Sequence, residues 1–335
     1  YAFVDFMEKS GLNLWQVLPL GHTGFGDSPY QPFSAFAGNP YFISLKKLLE
    51  DGLLTYDDIN ALSFGDDETR IDYGAIYESR QVVFKKAAKK FIEKYDIPTA
   101  STITIDASKA TSLKESDEED VKKDYLNFLN QEAYWIEDYA LFMAIKNDRG
   151  GGSWVDWDKD LRTRDSDALK EAKKSLSSLM DIYYFEQYEF DRQFRRLKKY
   201  ANEKNIKIIG DIPFYVAMDS ADAWSHPEVF QMDKDLLPTV VAGCPPDAFS
   251  PTGQLWGNPI YDWDAEKKRD YDWWLRRMYR TYAFYDVIRI DHFHGFCDYY
   301  AIPYGDETAQ MGKLKKGPGV DFFNKIKKHI KDLRI

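Results

Sequence analysis

Cysteine is almost missing from this 335-residue chain, which has only Cys244 and Cys297. Two cysteines supply no disulfide framework and no Cys-based zinc site, and a reducing, cytoplasmic setting is the simpler expectation. There is no G-x-G-x-x-G or Walker A sequence, so a Gly-rich phosphate turn of the dinucleotide or nucleotide type is excluded. No apolar run is long enough to span a bilayer, and no charged-then-apolar leader is visible, so no membrane partner is expected. The chain opens at Tyr1 inside a helical pattern and without an initiator Met, which leaves an upstream signal segment open. Basic residues are in deficit: 45 Lys and Arg face 55 Asp and Glu, for a formal net charge of -10. That balance argues against a nucleic-acid partner, which calls for a basic face, and leaves a neutral substrate unaffected.

What the chain has in excess is aromatic residues, 16% of the total with 9 Trp and 23 Tyr. Trp and Tyr combine a flat apolar face with a polar edge, which suits core packing and also stacking against sugar rings. The length allows one large α/β domain with an insertion, or two ordinary domains.

The most informative stretch is Val287-Ile288-Arg289-Ile290-Asp291-His292-Phe293-His294-Gly295. Its β-branched run reads as a buried strand ending in charge. Alternation along a strand puts Arg289 and Asp291 on one face, with Ile288 and Ile290 on the other. A neighbouring guanidinium favours the charged form of an acid, which suits Asp291 to act as nucleophile or cation stabiliser. An isolated R-x-D is more often an ordinary strand-end ion pair, so the remaining sequence has to decide.

Residues 1–10 place Phe3, Phe6 and Met7 on one helical face, with Gly11 at the C-terminal cap. A buried strand over Leu14 to Leu20 leads into a Gly- and Pro-rich loop, Gly21 to Pro32, that holds Asp27, Ser28 and Tyr30. Small residues there let a ligand approach the backbone, as in a binding loop. Tyr41 to Leu45 reads as a second short strand. From about residue 50 to 190 charged helical sequence dominates, with one apolar stripe at Val82/Val83, Ala87 and Phe91. A longer stripe follows at Tyr125, Phe128/Leu129, Ile136 and Tyr139/Ala140. The charged run Lys114 to Asp124 reads as a solvated helix start, and Trp154 and Trp157 read as packing residues. A helix from Leu176 through Leu197 precedes a second buried strand, Ile206 to Val216, which carries Asp211. Residues 219–262 read as one long loop holding Asp247, Gln254, Trp256 and Asn258, hydrogen-bonding and stacking groups appropriate to a hydroxylated ligand. A helix through Trp274, Met278 and Tyr282 leads into the R-x-D strand. A last helix carries Val320, Phe323, Ile326 and Ile330.

Polar and aromatic loops thus follow three strand ends, after Leu20, around Asp211 and at Asp291. That is the pattern of a (β/α)8 barrel, whose active site lies at the carboxyl ends of its strands; an open doubly wound sheet competes with it. Convergence of Asp211, Asp291, His292 and His294 would permit metal-assisted hydrolysis, but His292 and His294 alternate with aromatics and do not form a ligand spacing such as H-E-x-x-H. Glycoside chemistry fits better, since it joins carboxylates to stacking aromatics and hydroxyl-binding groups. No metal and no cofactor is expected.

Seven motifs in order carry a resemblance: LWQVLPLG at 14–21, GDSPYQ at 26–31, SAFAGNPY at 34–41, GDIP at 210–213, PPD at 245–247, GQLWGNP at 253–259 and RIDHF at 289–293. Together they resemble the 4-α-glucanotransferases, the amylomaltases or disproportionating enzymes of glycoside hydrolase family 77. The resemblance implies a retaining transglycosylase on a TIM-like barrel of the α-amylase clan, acting on maltooligosaccharides and other α-1,4-glucans. On it, Asp291 matches the nucleophile and Arg289 its partner. Asp211 and His292 line the donor subsite, and Tyr30, beside Ser28, stacks on the sugar. Asp247 and Trp256, with Asn258 nearby, belong to the loop that covers the glucan and excludes water. The family usually has Arg where this chain has His294 and Pro where it has His22. It also implies an acid/base Glu on the strand that would continue from Ile335, with a further Asp beyond it, and neither matches a residue here.

The expected fold is therefore a partial (β/α)8 barrel, its first strands only, with a large helical insertion. Residues 1–49 start the barrel, 50–190 form the insertion, and 191–335 continue the barrel with the long loop at about 219–262. The chain is expected to be an internal fragment that binds glucan without turning it over. An α-amylase-like hydrolase and a non-catalytic glucan-binding module are the competing readings. No protein partner is readable.

Overall fold

The two longest β-branched runs and the Leu-Trp-Gln run near the start pair with one another. The computed structural model describes residues 1–24, 26–67, 69–110, 120–331 and 334–335. Among them the strands are Leu14–Gln16 (β1), Lys207–Ile212 (β2), Val240–Cys244 (β3), Gln254–Pro259 (β4), Val287–Ile290 (β5), Asp298–Pro303 (β6) and Lys313–Lys316 (β7). The result is a mixed α/β architecture with two sheets. Two compact units divide the chain: residues 1–36, 153–163 and 195–335 form one, and residues 37–152 and 164–194 the other.

In the first unit β1, β2 and β5 form a parallel sheet in that order. Parallel neighbours need a crossover; between β2 and β5 it includes the helices Trp263–Lys268 and Asp272–Phe284. Ile208, Ile212, Ile288 and Ile290 are buried, as an apolar run covered on its faces requires. Register pairs Asp211 with Arg289 and Ile212 with Ile290. Side chains at paired positions point to the same face, so the register alone puts a carboxylate beside a guanidinium. Gly210 is needed because a Cβ at that position would enter the ring of Tyr285. On the other side of β5, Ile288 N–H donates to the Arg334 carbonyl at 2.9 Å.

β1 is shorter than the run suggests, ending at Gln16 where Pro19 approaches. In the opening helix, Ala2–Lys9, Val4 and Met7 are buried whereas Phe3 and Phe6 are exposed. Phe3 packs edge-on against Trp15 at 5.2 Å. Trp154 is fully buried and its indole N–H donates to the Met218 carbonyl at 2.7 Å, a packing role.

The stretch 219–262 is not one long loop. It holds the helix Ala221–Ser225 and the strands β3 and β4, which join β6 and β7 in an antiparallel sheet ordered β4-β3-β6-β7. Gly243, Gly253, Gly257 and Pro259 hide these strands from a reading of local alternation, and β3 pairs with β6 far along the chain. Val241, Ile302 and Ala309 form its small core, with Tyr300 packed on it. The edge strand β7, Lys-Leu-Lys-Lys, is exposed throughout, and lysines on an edge discourage pairing with another chain.

The second unit is helical. Tyr41 to Leu45 is not a strand: Pro40–Phe42 is a 3-10 turn and Leu45–Glu50 an α-helix. Asn39 accepts from Tyr41 N–H at 3.0 Å with Pro40 at the first helical position, and Ser44 caps the next helix. These capping side chains decide against the extended form. In the helix Tyr73–Tyr95, Val83, Ala87 and Phe91 are buried and Val82 faces out. Phe91 meets Tyr125 and Phe185, each with ring centroids at 5.3 Å. The longer stripe belongs to two helices, Val121–Gln131 and Ile136–Asp148. Between them Trp135 Nε1–H donates to Glu132 at 2.6 Å. Of the charged run from Lys114, residues 114–119 lie outside the described residues, and Asp120 caps the first of these helices by accepting from Lys123 N–H at 3.0 Å. Among the described residues no helix is long and apolar enough to cross a membrane.

Candidate active site

The site grows from the carboxyl ends of β2 and β5. Arg289 extends its fork along the sheet surface, donating Nη1 to Asp211 Oδ2 at 2.5 Å and Nη2 to Asp291 Oδ1 at 2.8 Å. Tyr30, from the Gly- and Pro-rich loop, donates its hydroxyl to the same Asp211 Oδ2 at 2.9 Å. Four residues from three chain segments thus form one hydrogen-bonded chain, Tyr30–Asp211–Arg289–Asp291. Backbone pairing carries on past β5, where Asp291 N–H donates to the Ile212 carbonyl at 3.0 Å.

Burial pushes the Asp211 carboxyl above its ordinary range; the Tyr30 hydroxyl and the Arg289 charge act against that, and Asp291 adds to it. With one oxygen accepting two bonds, Asp211 is an acceptor and orienting group. The Arg289 guanidinium is held more firmly protonated, first by the charge of Asp211 and then by the bond to Asp291. The Tyr30 phenol is raised by its burial and by donating to Asp211.

The loop that presents Tyr30 is closed by short contacts. Ser28 Oγ accepts from Tyr30 N–H at 3.3 Å, Gln31 N–H donates to the Ser28 carbonyl at 3.1 Å, and Thr23 bridges Pro32. Phe33 N–H donates to the His22 carbonyl at 2.8 Å. The His22 ring is buried edge-on against Phe33, and burial lowers it to about 4, so it is neutral in ordinary solution. Phe25, within the same loop, lies outside the described residues.

A second group of side chains stands beside the carboxylates. His292 has a left-handed backbone, φ 48°, rare for a residue with a Cβ and a feature that gathers at functional sites. Its ring stands perpendicular to Trp256 with centroids at 5.0 Å, and lies 6.0 Å from Tyr215. Burial lowers the imidazole, with Asp291 acting against that. His294 is exposed. Asp211 Oδ1, His292 Nε2 and the Tyr215 hydroxyl are buried and have no hydrogen-bond partner among the described residues. Unpaired buried polar atoms are costly in isolation, and clustered at one site they call for a polar ligand or water.

Asn258 is buried on β4, two residues from Trp256, and its amide is occupied by protein groups: Nδ2 donates to the Val216 carbonyl at 2.7 Å and pairs with the Gln31 amide. Asp247 is exposed, and Oδ1 accepts from the backbone of Phe249 at 2.8 Å and of Ser250 at 2.7 Å; these bonds shape its own turn and do not reach the carboxylate chain. Among the described residues no group of three or more His, Cys, Asp and Glu is arranged to hold a metal ion. Sequence reasoning missed Tyr215 and Gln31. Tyr215 had a weak signal as an aromatic just beyond a strand end, and Gln31 sat unremarked in a motif.

A carboxylate–guanidinium–carboxylate arrangement at the ends of parallel strands, with Trp256 and Tyr215 beside it, defines an α/β protein with a candidate active site at its strand ends. The comparisons agree with that class. A family profile described as 4-alpha-glucanotransferase matches residues 1–335. The chain belongs to glycoside hydrolase family 77, the 4-alpha-glucanotransferase family. It is similar to the 4-alpha-glucanotransferase of Clostridium butyricum, 46% identical over 100% of this chain and 64% of that protein. It is also similar to that of Thermus thermophilus, 44% identical over 97% of this chain and 59% of that protein. The structure of amylomaltase from Streptococcus agalactiae in complex with acarbose superposes with a TM-score of 0.89 at 41% identity, covering 100% of this chain and 63% of that one. A further amylomaltase, from Corynebacterium glutamicum, shares the fold with a TM-score of 0.72 at 16% identity, over 98% of this chain and 42% of that one. The chain thus spans about 64% of the length of the Clostridium relative.

Proposed function

We propose that the whole protein transfers α-1,4-glucan segments between maltooligosaccharides by a retaining double displacement. The observation that carries this reading is the forked Arg289, which holds Asp211 and Asp291 together at the ends of adjacent parallel strands. In it, Asp291 attacks the anomeric carbon and forms a glycosyl ester as the glycosidic C–O bond breaks and the leaving glucan departs with a proton from a general acid, while Arg289 orients the nucleophile. Asp211 Oδ1 and His292 Nε2, the buried atoms left without partners, take up sugar hydroxyls. Tyr30 and Trp256 supply stacking faces, Ser28 shapes the loop under Tyr30, and the turn at Asp247 covers the glucan. The bound acceptor hydroxyl then reaches the ester ahead of water.

A retaining mechanism needs a second carboxyl about 5 to 5.5 Å from the nucleophile to protonate the leaving oxygen. Asp211, already accepting two bonds on one oxygen, is unsuited to that step. The reading assigns no general acid among these 335 residues, which are proposed to bind glucan and not to turn it over. The parallel β1-β2-β5 sheet is read as part of a (β/α)8 barrel with a helical insertion, supported by the bond from Ile288 to Arg334 along the free side of β5. Two free cysteines accord with a cytoplasmic setting.

Product analysis with maltotriose tests the activity. Transfer by the whole protein yields glucose and longer oligosaccharides at a constant number of reducing ends, whereas a steady rise in reducing ends would assign a hydrolase. Calorimetry of the 335 residues with maltoheptaose tests the site, and Trp256→Ala should weaken binding about tenfold or more. Glucose release from maltotriose by the 335 residues alone would overturn the assignment of the missing acid.

A further inference from the structure

The side chains of Gln31 and Asn258 face each other as a reciprocal amide pair. Gln31 Nε2 donates to Asn258 Oδ1 at 3.3 Å, and Asn258 Nδ2 donates to Gln31 Oε1 at 3.4 Å. The second hydrogen of Asn258 Nδ2 goes to the Val216 carbonyl at 2.7 Å. Asn258 is buried, both hydrogens of its Nδ2 go to protein acceptors, and its Oδ1 accepts from Gln31. Each partner sits beside a wall of the site. Gln31 follows Tyr30, whose hydroxyl reaches Asp211. Asn258 is two residues from Trp256 on β4, across Gly257, whose φ of 76° lies where the pairing of β4 with β3 shifts register. Trp256 in turn meets His292 edge-on at 5.0 Å. The Val216 carbonyl ties both to the segment that follows β2 and carries Tyr215.

We infer that Gln31 and Asn258 are positioning residues that set the separation between the Tyr30 and Trp256 walls of the glucan site, and that neither contacts the sugar. The inference rests on the glucan-binding reading above. A loop rich in glycine and proline has no ladder of its own to hold a side chain in place, and a few local hydrogen bonds must do it. The amide pair links that loop to β4. With the pair removed, the Tyr30 hydroxyl keeps its partner Asp211 but samples a wider range of positions relative to Trp256. Bound glucan must then order both walls itself, which lowers affinity.

The test uses maltoheptaose binding to the whole protein carrying Asp291→Asn, which suppresses turnover, by isothermal titration calorimetry, with thermal melting alongside. Gln31→Met, of similar length with no amide, should weaken binding about tenfold while the protein still melts in one cooperative transition, its Tm lowered by a few degrees because buried Asn258 loses its partner. Gln31→Glu keeps an acceptor for Asn258 Nδ2 and loses the donor to Oδ1, and its affinity should fall between the two. In a Tyr30→Phe background the Gln31→Met loss should shrink to about twofold or less, because the wall it positions is already uncoupled from Asp211. An unchanged affinity in Gln31→Met would overturn the inference. A full loss that persists beside Tyr30→Phe would also overturn it, by making Gln31 a direct sugar contact. Failure of the parent protein to bind maltoheptaose would remove the glucan reading itself, a result distinct from both.

Discussion

Arg289 lies in register with Asp211 on the neighbouring parallel strand and donates Nη1 to its Oδ2 at 2.5 Å. The other arm of the fork serves Asp291, so one planar group fixes two acids at once. Lysine has a single ammonium and cannot reproduce a planar fork. Arg289→Lys is therefore expected to lower transfer by the whole protein about 100-fold or more, with an unaltered circular dichroism spectrum. Glucose release from maltotriose measures this, and a loss below about threefold would show that the fork is dispensable.

Tyr30 donates to Asp211 and so opposes the upward push of burial on that carboxyl. Tyr30→Phe removes a group that stabilises the ionised form, and the Asp211 carboxyl should move further up. If glucan binds the carboxylate, the acid limb of maltoheptaose affinity shifts to higher pH in the variant. Calorimetry across the acid range reads the shift; a limb that stays put or moves to lower pH would contradict the assignment.

Gly210 precedes Asp211 on β2, and a Cβ there would enter the Tyr285 ring. Tyr285 is buried and has little room to yield. Gly210→Ala should cost about 2–3 kcal/mol by overpacking, read as a lower urea midpoint at unchanged slope. An unaltered midpoint would mean that the ring moves freely.

Glu186, in the helical unit, is buried with Oε2 lacking a partner among the described residues, and burial raises its carboxyl to about 8. An unfolded glutamate releases its proton near its ordinary value of 4.5. Between these values the folded chain holds a proton that the unfolded chain gives up, so stability falls as pH rises from 4.5 to about 8 and stays lower above it. Glu186→Gln removes this dependence. Its Tm should exceed that of the parent by a few degrees at pH 9 and by little or nothing at pH 4, in scanning calorimetry. A constant difference across that range would rule the ionisation out.

The parts of the fold legible in the sequence are those governed by local period. β2 and β5 announced themselves as β-branched runs, and alternation alone put Arg289 and Asp291 on one face. Val83, Ala87 and Phe91 showed their buried stripe at helical spacing. Local capping competed with apolar content at Tyr41 to Leu45 and won, because Asn39, Pro40 and Ser44 satisfy turn and helix ends. The antiparallel sheet escaped notice because β3 and β4 carry glycines and a bulge, and their stability comes from pairing with each other and with β6.

By itself the sequence determined which chemical groups the site contains, since the motifs with Tyr30, Asp211, Trp256, Arg289 and Asp291 are contiguous strings. Tertiary structure decided which of those groups meet. Tyr30 and Asp211 are 181 residues apart in the chain and bond through a hydroxyl, and Arg289 reaches Asp211 because β2 and β5 pair in one register. A slip of one residue would turn Arg289 away from Asp211, since side chains alternate faces along each strand. Tertiary structure also took Asn258 out of the set of free amides and paired it with Gln31. The composition of a strand is a local property, whereas its register and the partners of a buried amide depend on segments the chain brings together only on folding.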